Sequence, residues 1–264
     1  MKLETSDLAG FIKERHRLQI RTLPKPTLAI VVTGEEAASA GFIPAKQRYG
    51  EDIGVAVRVE RVESEPQLTE TLQNLSSDKT VTGVVLQLPL PNGYLTERMI
   101  GLIPLGKDVD GLNQKSRFES ATAKAIMWIL ASLSINLKDA NICVVGQGKL
   151  VGAPVSDMLE SSGAKVTRCD VNTKDLKSKT LTADVIISGV GQSGLIKRAM
   201  LITGAVVIAA GTAEASGKLA GDVDPALYAD PDVRVTPVPG GVGPMTVAAL
   251  FDNLLIAAAH KSAG

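Results

Sequence analysis

The 264-residue sequence is poor in the residues that most often carry catalysis, with two His, two Cys, one Trp, three Tyr and four Phe. Cys143 and Cys169 stand far apart, with no CxxC pair and no His nearby. That spacing excludes a zinc ribbon and a disulfide framework. His16 and His260 lie near opposite ends with no HExxH pattern, so no metal site is expected. An excess of charge of one sign is also missing, because 28 basic side chains balance 28 acidic ones. A general nucleic-acid binder needs a basic face, so no nucleic-acid partner is expected. No run approaches about 18 consecutive apolar residues, so no membrane-spanning helix is expected. The first residues, Met1-Lys-Leu-Glu-Thr-Ser-Asp7, lack the apolar stretch of a secretory signal. A cytoplasmic chain is expected.

What is abundant is Ala, Val, Ile and Leu, in short runs separated by helical patterns. Residues 27–33 read as a buried strand, 39–53 as a helix with Ser39 at its N-cap, and 55–62 as a half-exposed strand. Residues 67–75 read as a helix and 83–88 as a strand stopped by Pro89-Leu-Pro-Asn-Gly93. This β-α-β-α-β order implies a parallel sheet covered by helices. A second series follows: a helix at 122–133 with Trp128, a strand at 141–145, a Gly-rich turn and a helix at 152–161. Strands are expected at 165–169, 184–188 and 205–209, and a long helix at 246–260. The fold class is therefore α/β, an N-terminal parallel domain followed by a Rossmann dinucleotide-binding domain, with the boundary near the polar stretch Asn113-Gln-Lys-Ser-Arg117.

The first chemical signal is Ile142-Cys-Val-Val-Gly-Gln-Gly-Lys-Leu-Val-Gly152, where a strand ends and a helix opens. Gly146 permits the tight turn, and Gly148 lets the backbone approach a pyrophosphate. The helix N-terminus adds N–H donors and partial positive charge. Asp170 at the end of the next strand would accept hydrogen bonds from ribose hydroxyls and repel a 2′-phosphate, which favours NAD over NADP. Arg168 lies close enough to bind a phosphate, although strand alternation can point it the other way. A tight βα turn with no ligand is the competing reading of the glycines.

Three pieces stand out beside it. Phe42 and Lys46 share a helix face at the i,i+4 spacing, which suits a flat ligand with a reacting group at its edge. A lysine stem lying over an apolar neighbour is the alternative. Gln87 sits at the C-terminal end of an apolar strand, where ligand sites form in parallel sheets, though a structural amide would satisfy the same position. Lys107-Asp-Val-Asp-Gly111 sets two acids beside a glycine turn, and Thr236-Pro-Val-Pro-Gly-Gly-Val-Gly-Pro-Met-Thr246 fixes an unusual backbone path.

Together these pieces resemble the bifunctional methylenetetrahydrofolate dehydrogenase/methenyltetrahydrofolate cyclohydrolase family, the FolD type. The motifs that carry the resemblance are Gln87-Leu-Pro-Leu-Pro91, Lys107-Asp-Val-Asp-Gly111, Val151-Gly-Ala-Pro154, Gly221-Asp-Val-Asp224 and Pro237-Val-Pro-Gly-Gly-Val-Gly-Pro-Met-Thr246, in the family's order over nearly the whole chain. The resemblance implies oxidation of 5,10-methylenetetrahydrofolate with a nicotinamide cofactor, then hydrolysis of the methenyl product to 10-formyltetrahydrofolate. It implies a final helix returning to the first domain, hence domains at 1–117 plus 246–264 and at 118–245. It also implies a folate cleft between domains and a homodimer. Lys46 is matched to the catalytic lysine, Gln87 to its partner and Asp110 to the carboxylate that holds the pterin. Phe42, Pro89, Leu90, Pro239, Gly240 and Gly241 fall at substrate-binding positions; Gly146, Gln147, Gly148, Asp170 and Thr212 fall at cofactor-binding ones.

The departures cluster on the cofactor side. Phe42 replaces a Tyr and keeps the ring without its hydroxyl. Ser120-Ala-Thr-Ala123 replaces Pro-Cys-Thr-Pro. Gln147 and Gly148 replace the Arg and Ser that would anchor a 2′-phosphate, and Asp170-Val171 replaces His-Ser. Ala209 stands for the Asp and Thr212 for the Ile of Asp-Val-Gly-Ile. NAD is therefore the expected cofactor, with NADP as the alternative. A monofunctional relative and a non-catalytic folate- or nucleotide-binding module are the competing functions. His16, His260 and both cysteines read as structural or surface residues.

Overall fold

The computed structural model describes residues 1–34, 42–215 and 218–262. Two compact units account for the chain. One is Gly10–Ala121 with the chain from Val247 onward; the other is Met1–Ala9 with Thr122–Thr246.

Among the described residues, the first unit holds a parallel sheet of β1 (Thr27–Thr33), β2 (Ala56–Val62) and β3 (Gly83–Leu86), in the order β2-β1-β3. Helices α1 (Ser6–Gln19), α2 (Phe42–Ile53), α3 (Glu65–Ser77) and α4 (Thr96–Gly101) surround it. The expected cap Ser39 lies outside the described residues. β3 is two residues shorter than expected, although the Gln87 N–H still donates to Val31 O at 2.9 Å. The start of α3 is built locally. Ser64 accepts from Gln67 N, Pro66 occupies the first turn, and Gln67 Oε1 accepts from Glu63 N. On one face of the sheet Ala29, Val31, Val84 and Leu86 meet Leu68, Leu72 and Met99. Leu68 and Leu72 are fully buried, each worth about 1.5–3 kcal/mol.

The second unit begins with α5 (Ala121–Ser132) and carries β4 (Asn141–Val145), α6 (Gly152–Ser161), β5 (Lys165–Cys169), α7 (Leu176–Thr180), β6 (Val185–Ser188) and β7 (Val206–Ala209). An antiparallel pair, β8 (Thr212–Ala215) and β9 (Lys218–Gly221), precedes the short β10 (Arg234–Val235). The parallel sheet runs β10-β7-β6-β4-β5. The chain leaves β4 for β5 on one side and returns to β6 on the other, so the order reverses at β4. A crevice for a ligand opens at the C-terminal end of a strand where that happens. The two thiols, far apart in sequence, meet between β4 and β5 as free cysteines with Sγ atoms 3.6 Å apart. Burial, and then the neighbouring Cys169, push the Cys143 thiol up to about 12.

One expectation needs correction. Residues 1–9 belong with the Rossmann unit and not with the first domain. Leu3 N donates to Val235 O at 2.8 Å and Val235 N to Met1 O at 2.9 Å, so the first residues extend the sheet beside β10. Edge pairing of this kind depends on backbone alone and leaves no sequence pattern. Helix α8 (Val242–Ser262) includes 20 residues, Val242–Lys261, that are long and apolar enough to cross a membrane by length and composition alone. Thr246, Asp252 and Asn253 break the apolar run, which is why no continuous stretch is visible in the sequence. Its apolar stretch is mostly buried, as that of a core helix is.

From Val247 onward α8 lies in the first unit, as expected for a returning helix. A methyl group on Gly83 would meet Leu254 and Val109 at 2.7 Å, so helix and sheet are in close contact. Asn253 Nδ2 donates to Val109 O and Glu119 O, both at 2.9 Å. His16, fully buried, joins three helices, with Nδ1 3.0 Å from the Tyr49 hydroxyl on α2 and Nε2 3.1 Å from Asp252 Oδ1 on α8.

Candidate active site

Helix α2 turns Ile43, Lys46, Tyr49, Gly50 and Ile53 inward, a three-to-four-residue spacing that makes one buried face. Lys46 is 8% exposed, and its Nζ donates to Gln87 Oε1 at 3.0 Å. Gln87 Nε2 donates to Leu88 O at 3.1 Å, which fixes the amide so that its oxygen faces the lysine. Burial holds Lys46 below the usual amine range, and the Asp110 carboxylate opposes that shift. Burial pushes the Asp110 carboxyl up; Lys46 pulls it down, and Asp108 adds to the rise. An amine that gives up its proton more readily thus stands beside a carboxylate, with a neutral amide as its hydrogen-bond partner.

The Lys107–Gly111 motif divides its labour. Lys107 Nζ donates to Leu75 O at 2.8 Å, Ser76 O at 3.0 Å and Asp78 O at 2.7 Å, satisfying carbonyls at the end of α3. Asp108 is buried and accepts from Leu112 N at 3.2 Å and Asn113 N at 2.9 Å. Both are structural, which leaves Asp110 as the carboxylate of the motif that interacts with Lys46. Phe42, half-exposed, lies one turn before Lys46 on α2. Pro89 is exposed after a cis Leu88–Pro89 bond, whereas Leu90 is half-buried against the core of its unit.

In the Rossmann unit the glycine turn follows β4. Gly146 has φ +88°, and its N–H donates to Cys169 O at 2.8 Å. A Cβ on Gly152 would collide with Gly146 O, so only glycine lets α6 start this close to the strand. A Cβ on Gly148 would meet nothing within 4 Å, so the turn opens to free space at the head of α6, where a helix N-terminus favours an anion. Gln147 folds back over the turn, with Nε2 3.2 Å from Val144 O and Oε1 3.4 Å from Ser156 Oγ. Asp170 is exposed at the end of β5 and accepts from Asn172 N at 2.9 Å and Thr173 Oγ1 at 3.1 Å. Arg168 points to α6, bonding Glu160 at 2.7 and 2.9 Å and Asp157 at 2.6 Å. Thr212 is exposed at the start of β8, and its carbonyl lies 3.3 Å from where a Cβ on Gly191 would sit. Pro239, Gly240 and Gly241 lie between β10 and α8, the first two exposed and the third buried.

Sequence reasoning assigned no role to Asp222, which stands in a recognised motif. It is fully buried and accepts from Ser188 Oγ at 2.7 Å and from Val190 N and Gln192 N, both at 2.9 Å. It shapes the loop after β6, and a Cβ on Gly211 would strike it.

A buried lysine–amide pair on one unit and a glycine turn at the head of a helix on a Rossmann sheet define a two-unit α/β protein with a candidate dinucleotide-binding turn. The particular family follows from comparison with known proteins. Residues 3–110 match the tetrahydrofolate dehydrogenase/cyclohydrolase catalytic domain, and residues 120–262 match its NAD(P)-binding domain. The chain belongs to the tetrahydrofolate dehydrogenase/cyclohydrolase family. It is 36% identical over 260 residues to the bifunctional protein FolD of Francisella philomiragia, covering 92% of each. The crystal structure of the bifunctional enzyme FolD from Campylobacter jejuni superposes with a TM-score of 0.92 at 30% identity, covering 99% of both chains. The Thermoplasma acidophilum bifunctional dehydrogenase/cyclohydrolase gives 0.91 at 29% identity over 100% of both.

Proposed function

We propose that the chain oxidises 5,10-methylenetetrahydrofolate to 5,10-methenyltetrahydrofolate and hydrolyses that product to 10-formyltetrahydrofolate. The observation that carries the reading is the 3.0 Å hydrogen bond from buried Lys46 to Gln87, with Asp110 acting on the same amine. A bound nicotinamide nucleotide supplies the hydride acceptor for the first step. Gly146, Gln147 and Gly148 would hold its pyrophosphate, Asp170 its ribose, and Thr212 would line the same site. Asp110 accepts an N–H pair from the pterin edge, Phe42 stacks on the ring, and Pro89 and Leu90 border it. In the hydrolytic step water attacks the methenyl carbon, and Lys46 takes and returns the proton that accompanies ring opening. Gln87 orients the amine without adding the negative charge that would keep it protonated. Pro239, Gly240 and Gly241 are read as folate contacts, as the family resemblance implies.

NAD is the preferred nucleotide in this reading. The Gln147 amide brings no positive charge to the turn, Asp170 is an acid at the ribose position, and Arg168 is engaged by Glu160 and Asp157. A dehydrogenase assay with methylenetetrahydrofolate and each nucleotide tests both parts. Turnover with a higher kcat/KM for NAD is expected. A tenfold advantage for NADP, about 1.4 kcal/mol, overturns the cofactor assignment. No turnover with either nucleotide overturns the dehydrogenase assignment, and a failure to hydrolyse methenyltetrahydrofolate as well overturns the enzyme assignment. We further propose a cytoplasmic homodimer, as the family resemblance implies; a monomeric mass by light scattering would refute the assembly.

A further inference from the structure

We propose that Thr5 is a positioning residue for substrate binding, its buried hydroxyl holding the Gly240–Gly241 turn in the shape that meets the folate. The proposal rests on the reading of Pro239, Gly240 and Gly241 as folate contacts. Thr5 is 3% exposed and stands one residue before α1, where its carbonyl accepts from Ala9 N at 2.9 Å. A threonine at that position ordinarily turns its hydroxyl back to accept from the helix. Here the hydroxyl lies 2.9 Å from both Gly240 O and Gly241 O, one proton shared between two carbonyls.

The turn needs a brace from outside. Gly240 has φ +104°, a conformation that favours glycine, and Gly241 is crowded by Pro237 O and Thr236 Cβ. Two successive glycines have no side chains with which to anchor themselves, and they lose more conformational freedom on ordering than other residues. Gly241 N donates to Pro237 O at 2.8 Å, and Val238 N donates to the Tyr228 hydroxyl at 3.2 Å. Those bonds fix the entrance of the turn and one of its N–H groups. Its two carbonyls are fixed by Thr5. Because the peptide unit is planar, holding a carbonyl also sets the direction of the N–H across the same bond. Thr5 is itself anchored by the pairing of the first residues with β10. Pro239 and Gly240 remain exposed on the turn, available to a ligand, while Gly241 and Thr5 are buried beneath.

The test compares Thr5→Val, which keeps the shape and removes the hydroxyl, with Thr5→Ser, which restores it. The readouts are KM for methylenetetrahydrofolate, kcat, and the Kd of tetrahydrofolate by calorimetry. Thr5→Val is expected to raise KM and Kd about fivefold with kcat changed less than about twofold, and Thr5→Ser to recover both. A merely structural role would lower the melting temperature and the active fraction, leaving KM and Kd at their original values, and that result overturns the proposal. Gly241→Ala separates the two levels of the argument, since its Cβ would meet Pro237 O at 2.5 Å. If Gly241→Ala raises KM and Thr5→Val does not, the turn touches folate and Thr5 is not its brace. If neither moves KM or Kd, the reading of the turn as a folate contact fails as well. Should Thr5→Val not fold, Thr5→Ala carries the same comparison with the same decisive outcomes.

Discussion

The lysine site and the glycine turn solve different electrostatic problems with different parts of the chain. Lys46, Gln87 and Asp110 are side chains on separate elements, and their chemistry depends on one amine being kept from water beside a carboxylate. The glycine turn relies on backbone, with a close contact between Gly152 and Gly146 O and open space over Gly148. A backbone site tolerates replacement of its neighbours, because N–H groups and a helix terminus do not depend on which side chain follows. In the family resemblance, Gln147, Gly148 and Asp170 are among the departures, together with Phe42 and residues 120–123, while Lys46, Gln87 and Asp110 are matched to the pattern. Exposed Asp170 and its turn bonds lie in water, where a charge can be changed at little cost. Lys46 is buried, and any replacement there changes what its neighbours experience.

That contrast can be broken in three ways, in order of expected size. Lys46→Met removes the proposed proton carrier and is expected to lower cyclohydrolase turnover by about 10²–10⁴ while tetrahydrofolate binding persists. Stopped-flow hydrolysis of methenyltetrahydrofolate, with calorimetry for binding, checks it; unchanged hydrolysis would remove Lys46 from the mechanism. Gly152→Ala strikes the backbone site. A methyl colliding with Gly146 O forces the turn open, and a loss of nucleotide affinity of about 5- to 150-fold is expected, with tetrahydrofolate affinity intact. Fluorescence titration with NAD would decide it, and equal loss at both sites would show that the two are not independent. The smallest effect is the pH profile. With Lys46 as the proposed base, acting in its neutral form, the hydrolytic rate is expected to rise with pH, at most about tenfold per unit, and to level off above the pKa of that amine in the folded protein. Burial lowers that pKa, so the plateau should begin below the 10.5 of an ordinary lysine. A rate that climbs unabated to that value would mean the amine is not desolvated during the reaction.

The strands that could be read from sequence are those whose signal is local. β1, β4 and β5 occupy the expected residues because apolar runs bounded by turn residues need no distant partner to be recognised. Helix α1 went unread, although it spans Ser6–Gln19. Its inward residues are only Ile12 and His16, too few for a periodic apolar stripe. The lysine, glutamine and aspartate were legible through their motifs, and their mutual arrangement was not. Asp108 and Asp110 stand two residues apart in one motif, yet one builds a loop and the other acts on Lys46.

By itself the sequence determined the alternation of strands and helices, the glycine turn and the family motifs, because each is set within a few residues by steric preference and hydrophobic period. The tertiary structure alone decided which groups meet: Lys46 with Gln87, the thiols of Cys143 and Cys169, and Thr5 with Gly240 across 235 positions. Those meetings follow from strand order and helix docking, which join residues through space where no local preference reaches.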